Sequence, residues 1–337
     1  MQLILESAHG AILAYVRRRA AIALRDTLPP VGSRAWGAVG AAALIGAAGL
    51  AYARLEAASY RLRHRQAAAL DPGQPDLRIL HLSDLHMTPR RLRLQEWVAS
   101  LDELDPDLVV VTGDFLAHRD AVEPVVHSLE PLADRPGVFV LGSNDYYAPR
   151  AINPFSYLAG PSDLHPDRPQ LPWPDLVSRL EGFGWQHLPN ARTTIVAAGR
   201  AVEVRGVDDP HIERDDYALV AGSPDAEADL AVGIAHAPYL RVLDAMAADG
   251  VDITLAGHTH GGQVCLPGVG ALVTNCDLDR RRARGLSTHE RPLTEYAPHD
   301  QPEMWLHVSA GLGTSPYAPI RFACPPEATL LTLTARG

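Results

Sequence analysis

Residues 77–87, LRILHLSDLHM, and 108–115, LVVVTGDF, share one design: a short β-favouring apolar run that ends in a polar turn bearing acidic or imidazole side chains. Between and after them the apolar spacing changes to a helical period over Leu92–Leu104 and Ala121–Ala133, and a third run, Val138–Leu141, follows. Strand-like runs that alternate with helical stretches and end in polar loops predict a βαβαβ opening.

The second half is richer in strands. The pattern predicts Thr193–Val196, Ala201–Val207, Leu230–Ala235, Ile253–Ala256, Trp305–Ser309 and Thr329–Thr334, with helices over Pro174–Glu181 and Tyr239–Ala248. Two mixed sheets packed together under outer helices is the economical α/β architecture for such a list. Residues 150–173 and 276–303 are Pro-rich or charged without clear periodicity, and read as surface loops.

Metal-binding side chains fall at four predicted strand ends: Asp84 and His86 in HLSDLHM, Asp114 in VVVTGDF, His236 in GIAHAP, and His258 and His260 in LAGHTHGG. Hard carboxylates mixed with imidazoles suit Mn, Fe, Zn or Co better than Ca. In Asp-x-His and His-x-His, alternate residues of an extended chain point the same way, so each pair is expected to face one cavity. Taken singly, each piece is mostly a loop. Their joint occurrence, each after an apolar run, is the stronger signal.

In order along the chain, D-x-H, G-D, a G-N-H-D-like turn, a later His and G-H-x-H resemble the signature of calcineurin-like metallophosphoesterases, over roughly Leu77 to Thr334. The stretches AGHTHGGQVCLP and SAGLGTSPYAPIRFACPPEATLLTL resemble one bacterial branch, whose members often carry an N-terminal membrane anchor or export signal. The resemblance implies a four-layer αββα sandwich and two divalent metal ions. It assigns one metal to Asp84, His86 and His260, a second to His236 and His258, and Asp114 as the bridge. Metals about 3.5–4 Å apart bring a bridging water towards a pKa of about 7, supplying hydroxide for attack on phosphorus without a protein nucleophile. A phosphomonoester or phosphodiester substrate is expected; a metal-binding membrane module without catalysis is the competing reading.

One turn departs from the family. Gly142-Ser143-Asn144-Asp145 stands where the family has Gly-Asn-His-Asp, which puts Ser143 at the usual Asn ligand and Asn144 at the usual His. Either a one-residue shift lets the Asn144 amide oxygen bind the second metal, or Ser143 is a weak or water-mediated ligand. The carbonyl oxygen is the better neutral donor to a hard cation. An amide cannot protonate a leaving oxygen, a role His211 in VRGVDDPHIE is expected to take if it reaches the site with Asp208 and Asp209; surface-loop positions are the alternative. Arg321 is open between a phosphate contact and a structural salt bridge. His81, His118, His127, His187 and His307 fit no ligand spacing and read as core or surface histidines.

The N-terminal part has different physics. Trp36 to Ala53 holds 18 residues without a charge, about the minimum for a helix crossing the hydrocarbon core. Because its strong apolar residues are only Val39, Leu44, Ile45 and Leu50, three readings stay open: a membrane anchor, a cleaved signal at Ala51-Tyr52-Ala53, or a buried soluble helix. Residues 3–16 suggest an interfacial amphipathic helix. The expected domains are a basic segment with anchor over 1–66, a linker over 67–75 (AAALDPGQP), and a metallophosphoesterase domain over 76–337. Arginines flank the anchor on both sides, so orientation leans only faintly towards an extracytoplasmic catalytic domain.

Residues 1–65 are net +6 in a chain of net charge −10, which leaves −16 for the rest. An acidic body argues against nucleic acid as a partner, whereas a basic segment fits anionic lipid headgroups, and the anchor suggests a lipid-linked or envelope phosphoester. Cys265, Cys276 and Cys324 show neither a disulfide framework nor a zinc-thiolate pattern. No P-loop or dinucleotide fingerprint is present: Gly311-Leu312-Gly313 lacks the third glycine and its strand-turn-helix context.

Overall fold

A computed structural model describes residues 33–151, 168–292 and 302–337. The chain divides into two compact units, Met1–Ala51 and Tyr52–Gly337. In the first, α1 (Ser33–Glu56) begins; its stretch Ala38–Glu56 has a mean hydropathy of 1.5 and is long and apolar enough to cross a membrane.

Two six-stranded sheets form the second unit. The first holds β1 (Arg61–Leu70), β2 (Leu77–Leu82), β3 (Leu108–Thr112), β4 (Gly137–Val140), β5 (Gln186–His187) and β14 (Glu327–Ala335), in the order β1-β14-β2-β3-β4-β5. Within it β14 runs antiparallel to β2 and the other pairings are parallel. The second holds β6 (Ala191–Ala197), β7 (Arg200–Gly206), β8 (Leu230–Ala235), β9 (Ile253–Ala256), β12 (Gly285–Glu290) and β13 (Glu303–Val308), in the order β12-β13-β9-β8-β7-β6. A two-stranded hairpin, β10 (Cys265–Leu266) with β11 (Gly270–Ala271), stands apart.

Strand alternation explains the layering. Leu77 and Ile79 of β2, Leu108 and Val110 of β3, and Val138 and Val140 of β4 point to one face, against Val202, Val204, Val232, Ile234, Ile253 and Leu255 of the other sheet. The intervening Leu80, Leu82, Val109, Val111 and Phe139 point outward. They bury the apolar stripes of α2 (Leu92–Ala99), α3 (Val122–Leu129) and, beyond the short α4 (Ser143–Tyr146), α5 (Trp173–Glu181). On the far face α6 (Leu240–Ala248) packs Val242, Leu243 and Met246 over Met304, Leu306 and Val308. The result is a mixed α/β fold of two sheets flanked by helices, as expected.

His81 and His307 lie buried in this core, with Nδ1 atoms 2.8 Å apart, and the other His81 nitrogen reaches Thr112 Oγ1 at 2.9 Å. Both are core histidines.

Two expectations need correction. Residues 67–75 are not a linker throughout: Ala67–Leu70 end β1, which pairs with β14 from Arg61 onward, so the folded unit begins well before Asp76. Ala67, Ala69 and Leu70 are buried, and burial of this small apolar run makes the segment a strand. Part of the expected loop 276–303 is also a strand, β12, paired antiparallel with β13; most of the other expected loop, 152–167, lies outside the described residues, as does the amphipathic segment 3–16.

Candidate metal centre

Sequence spacing brings the predicted ligands together, but by another route than strand alternation. Asp84, His86, Asp114, His258 and His260 all have positive φ, of 50°, 42°, 55°, 68° and 50°. They sit in left-handed turns just past the strand ends, where a non-glycine residue costs about 1–2 kcal/mol. The extended Asp-x-His and His-x-His geometry expected from sequence is therefore corrected. Hydrogen bonds across the turns hold the conformation: Asp84 N to Gly113 O (2.9 Å), His86 N to Asp114 O (2.8 Å) and Leu312 N to Ser83 O (3.0 Å). Asp145 adds a clamp, accepting from the backbone N–H groups of Asp114 (2.8 Å), Leu116 (2.9 Å) and Gly142 (2.9 Å).

Asp84, His86, Asp114 and His260 each offer a ligand atom, all within 4.8 Å of one another. His86 Nε2 lies 3.1 Å from His260 Nε2 and 3.4 Å from Asp114 Oδ2, and His260 Nε2 lies 3.5 Å from Asp84 Oδ1. Across Asp114, His236 Nε2 stands 3.5 Å from Oδ2, and its ring is 5.2 Å from that of His258. The other nitrogen of His236 is fixed by Thr112 O at 2.7 Å, and His258 Nε2 lies 3.1 Å from Asn275 O. Ser83 Oγ donates to Asp84 Oδ2 at 2.6 Å. Such outer contacts orient ligand rings and carboxylates.

Two glycines make room. A Cβ on Gly113 would come within 2.6 Å of Gly142 N, and one on Gly142 would collide with Asp114 Oδ1 and His236.

Electrostatically the cluster suits a cation. Burial holds His86 down to about 4 and keeps His258 and His260 well below the usual range, so their imidazoles are neutral with lone pairs available. Burial opposes charge on His236, but the Asp114 carboxylate outweighs it and holds that imidazole well above its usual value; the same pairing holds Asp114 low. A proton there occupies the place a cation would take. His236 Nε2, which faces Asp114, is also buried without a hydrogen-bond partner, a state metal ligation would resolve. The donor set fits divalent metals.

Asn144 lies against Asp114: its backbone N–H donates to Oδ1 at 2.9 Å and its amide Nδ2 to Oδ2 at 2.8 Å. Its Oδ1 accepts from Arg168 at 3.1 Å. Ser143 is buried one residue before it. His211 comes to the site, its ring 4.4 Å from that of His258 and its Nδ1 3.1 Å from Tyr239 Oη. Burial pushes it down to about 4. Asp209 is buried and holds the His211 N–H at 2.9 Å, whereas Asp208 turns to Arg214 (2.8 Å) and Tyr146 (2.6 Å).

Arg321 forms no salt bridge among the described residues. Fully buried, it donates to the carbonyls of Gly311 (3.0 Å), Gly313 (2.8 Å) and His260 (3.3 Å), and so staples the loops behind the ligands. Sequence reading missed Arg168, Tyr239 and Asn275, whose contacts join residues far apart in the chain and leave no local spacing signal.

The profile of the family described as Calcineurin-like phosphoesterase matches residues 77–262. Phosphodiesterase YaeI of Escherichia coli is 29% identical over 283 residues, covering 81% of this chain and 87% of its own. UDP-2,3-diacylglucosamine pyrophosphatase LpxG of Chlamydia trachomatis is 28% identical over 290 residues, covering 76% and 83%. A Bos taurus transmembrane protein with metallophosphoesterase domain is 25% identical over 232 residues, and the chain spans 45% of its length.

Proposed function

Because the chain belongs to the calcineurin-like phosphoesterase family, we propose that it hydrolyses a phosphomonoester or phosphodiester at a two-metal centre. The observation that carries this reading is the convergence of Asp84, His86, Asp114 and His260 within 4.8 Å, with His236 poised across Asp114. Asp84, His86 and His260 would hold one metal, His236, His258 and Asn144 the other, and Asp114 would lie between. Bound there, divalent metals would polarise the phosphoryl oxygens and bring a bound water towards a pKa of about 7.

The chain's own residues then orient and protonate. Asn144 Oδ1 becomes available to the second metal only if its amide turns from its present arrangement, in which Nδ2 faces Asp114. His211, neutral at pH 7, donates a hydrogen bond to the leaving oxygen; the charge of a bound phosphate raises its pKa towards the working range.

The membrane reading rests on α1 and on the transmembrane relatives, and the diacylated sugar nucleotide in the chlamydial relative's name supports a lipid-linked substrate here. The decisive assay gives metal-loaded protein aryl phosphomonoesters and phosphodiesters with Mn or Zn, beside Asp114→Ala. Turnover abolished in the variant is expected. Two bound metals with no turnover on any ester would overturn the proposal in favour of a non-catalytic membrane module.

A further inference from the structure

The hairpin β10–β11 follows the ligand His260 by only a few residues, turns Cys265 and Ala271 inward and carries its larger aliphatic side chains outward. Val264 is 39% exposed, Leu266 48% and Val269, at the turn, 70%; Tyr317 on the adjoining loop is 59% exposed. The small cluster behind the hairpin is filled by Cys265, Ala271, Ala283, Ala310 and Cys324, which leaves the larger side chains in solvent. Exposed aliphatic side chains grouped on one projecting element mark an interaction surface.

Hydrogen bonds tie this hairpin to the point where α1 enters the folded unit. Val264 bridges Phe322, Cys265 N donates to Phe322 O at 2.8 Å, and the Phe322 ring meets Tyr52 edge-on at 5.2 Å. Arg321 N donates to Ala53 O at 2.9 Å, and Gln263 Nε2 reaches Ala318 O and Ile320 O, both at 3.1 Å. The hairpin, the 317–322 loop and the end of the apolar helix thus form one continuous patch.

Exposed arginines border the patch, beside one acidic residue, Glu56, which accepts from Tyr52 Oη at 2.9 Å. Arg54 and Arg284 are exposed and have no carboxylate ion pair among the described residues. Arg54 follows Ala53 at the end of the apolar helix, and the Arg284 side chain lies against Gly261. Unneutralised arginines around apolar tips fit anionic headgroups over acyl chains.

We propose that the β10–β11 hairpin, with Tyr317, Arg54 and Arg284, docks on an anionic bilayer surface and holds the metal centre at the headgroup plane. The inference rests on the membrane attachment read from α1. It gives that attachment a second contact, which fixes the orientation of the site instead of merely tethering it.

The test places a nitroxide on Val269→Cys in the full chain, in a Cys276→Ser background, reconstituted in phosphatidylglycerol–phosphatidylcholine nanodiscs. Val196→Cys, on the exposed edge strand β6, serves as the water reference. Power-saturation resonance should show accessibility to a water-soluble nickel chelate at residue 269 reduced about tenfold relative to residue 196, because the bilayer excludes the chelate from a label seated at the acyl boundary. In parallel, Val269→Asp and Leu266→Asp should cut turnover of a vesicle-embedded phosphoester about tenfold and leave nitrophenyl ester turnover unchanged. Equal nickel accessibility at both labels overturns the docking surface. So does protection that persists in detergent with spin–spin broadening, which would mean a second copy covers the hairpin. Loss of all turnover in the parent protein would instead count against the phosphoesterase reading, since the nitroxide measurement needs no catalysis.

Discussion

Asp145→Asn should loosen the metal centre from behind without touching a ligand. The Asp145 carboxylate accepts three buried backbone N–H groups, two on Oδ2 and one on Oδ1. An asparagine keeps one oxygen. If that oxygen stays on Asp114 N and Gly142 N, the new NH₂ faces the Leu116 N–H and leaves it unsatisfied, at about 1–3 kcal/mol. Burial and the neighbouring Asp114 push the Asp145 carboxyl up to about 8, so little charge assistance is lost with it. The net expectation is about 1–3 kcal/mol, or roughly 3–10 °C in Tm for a unit of this size. Because the same bonds hold Asp114 at φ 55°, metal affinity should fall as well. Thermal melting with and without added Mn, beside elemental analysis, reads both effects. A melting point within about 2 °C of the parent with full metal content would refute the clamp; a lower Tm with unchanged metal affinity would refute its positioning role.

Asn144→Ala should lower occupancy of the second metal while Ser143→Ala leaves it intact, as elemental analysis will show; the reverse pattern would move the ligand to Ser143. His211→Ala should slow alkyl phosphates more than nitrophenyl esters, because only poor leaving groups need proton donation, worth about 10²–10⁴ in rate; equal slowing would remove His211 from that role. Burial holds His307 down to about 3, so its share of stability is complete above the unfolded value of about 6.5 and is lost as pH falls towards 3. Between pH 7 and 5, urea titration of His307→Gln should therefore lose about 2 kcal/mol less stability than the parent.

Legibility followed burial. Leu230–Ala235 and Ile253–Ala256, central strands buried on both faces, were read to the residue because a continuous apolar run between turns admits little else. Of the two six-stranded sheets, the strands that escaped, β1, β5 and β12, lie at sheet edges, with sequences such as RLRHRQAAAL and GLSTHE that offer the core only part of one face. The cluster of Asp84, His86, Asp114 and His260 was legible because each member follows a central strand. Their backbone geometry was not, since left-handed φ at Asp84, His86 and His260 depends on hydrogen bonds to Gly113, Asp114 and other residues distant in sequence.

The altered Gly-Ser-Asn-Asp turn changes how charge is distributed around the site. With an amide at residue 144, the side chain contributes no cation of its own; instead Asn144 links Asp114 on one side to Arg168 on the other, at 2.8 and 3.1 Å. The arginine also depresses the charged form of His211, which places its field over the same space. Guanidinium is a fixed cation that stabilises phosphoryl charge but donates no proton at neutral pH, whereas imidazole trades protons readily. Positive charge and proton donation, joined in one histidine in the family pattern, would thus be separated here between Arg168 and His211. Because Arg168 and a phosphodiester both keep their charge, binding of a phosphodiester should vary little between pH 6 and 8, while the rate on alkyl esters should carry an acid-dependent limb that nitrophenyl esters lack.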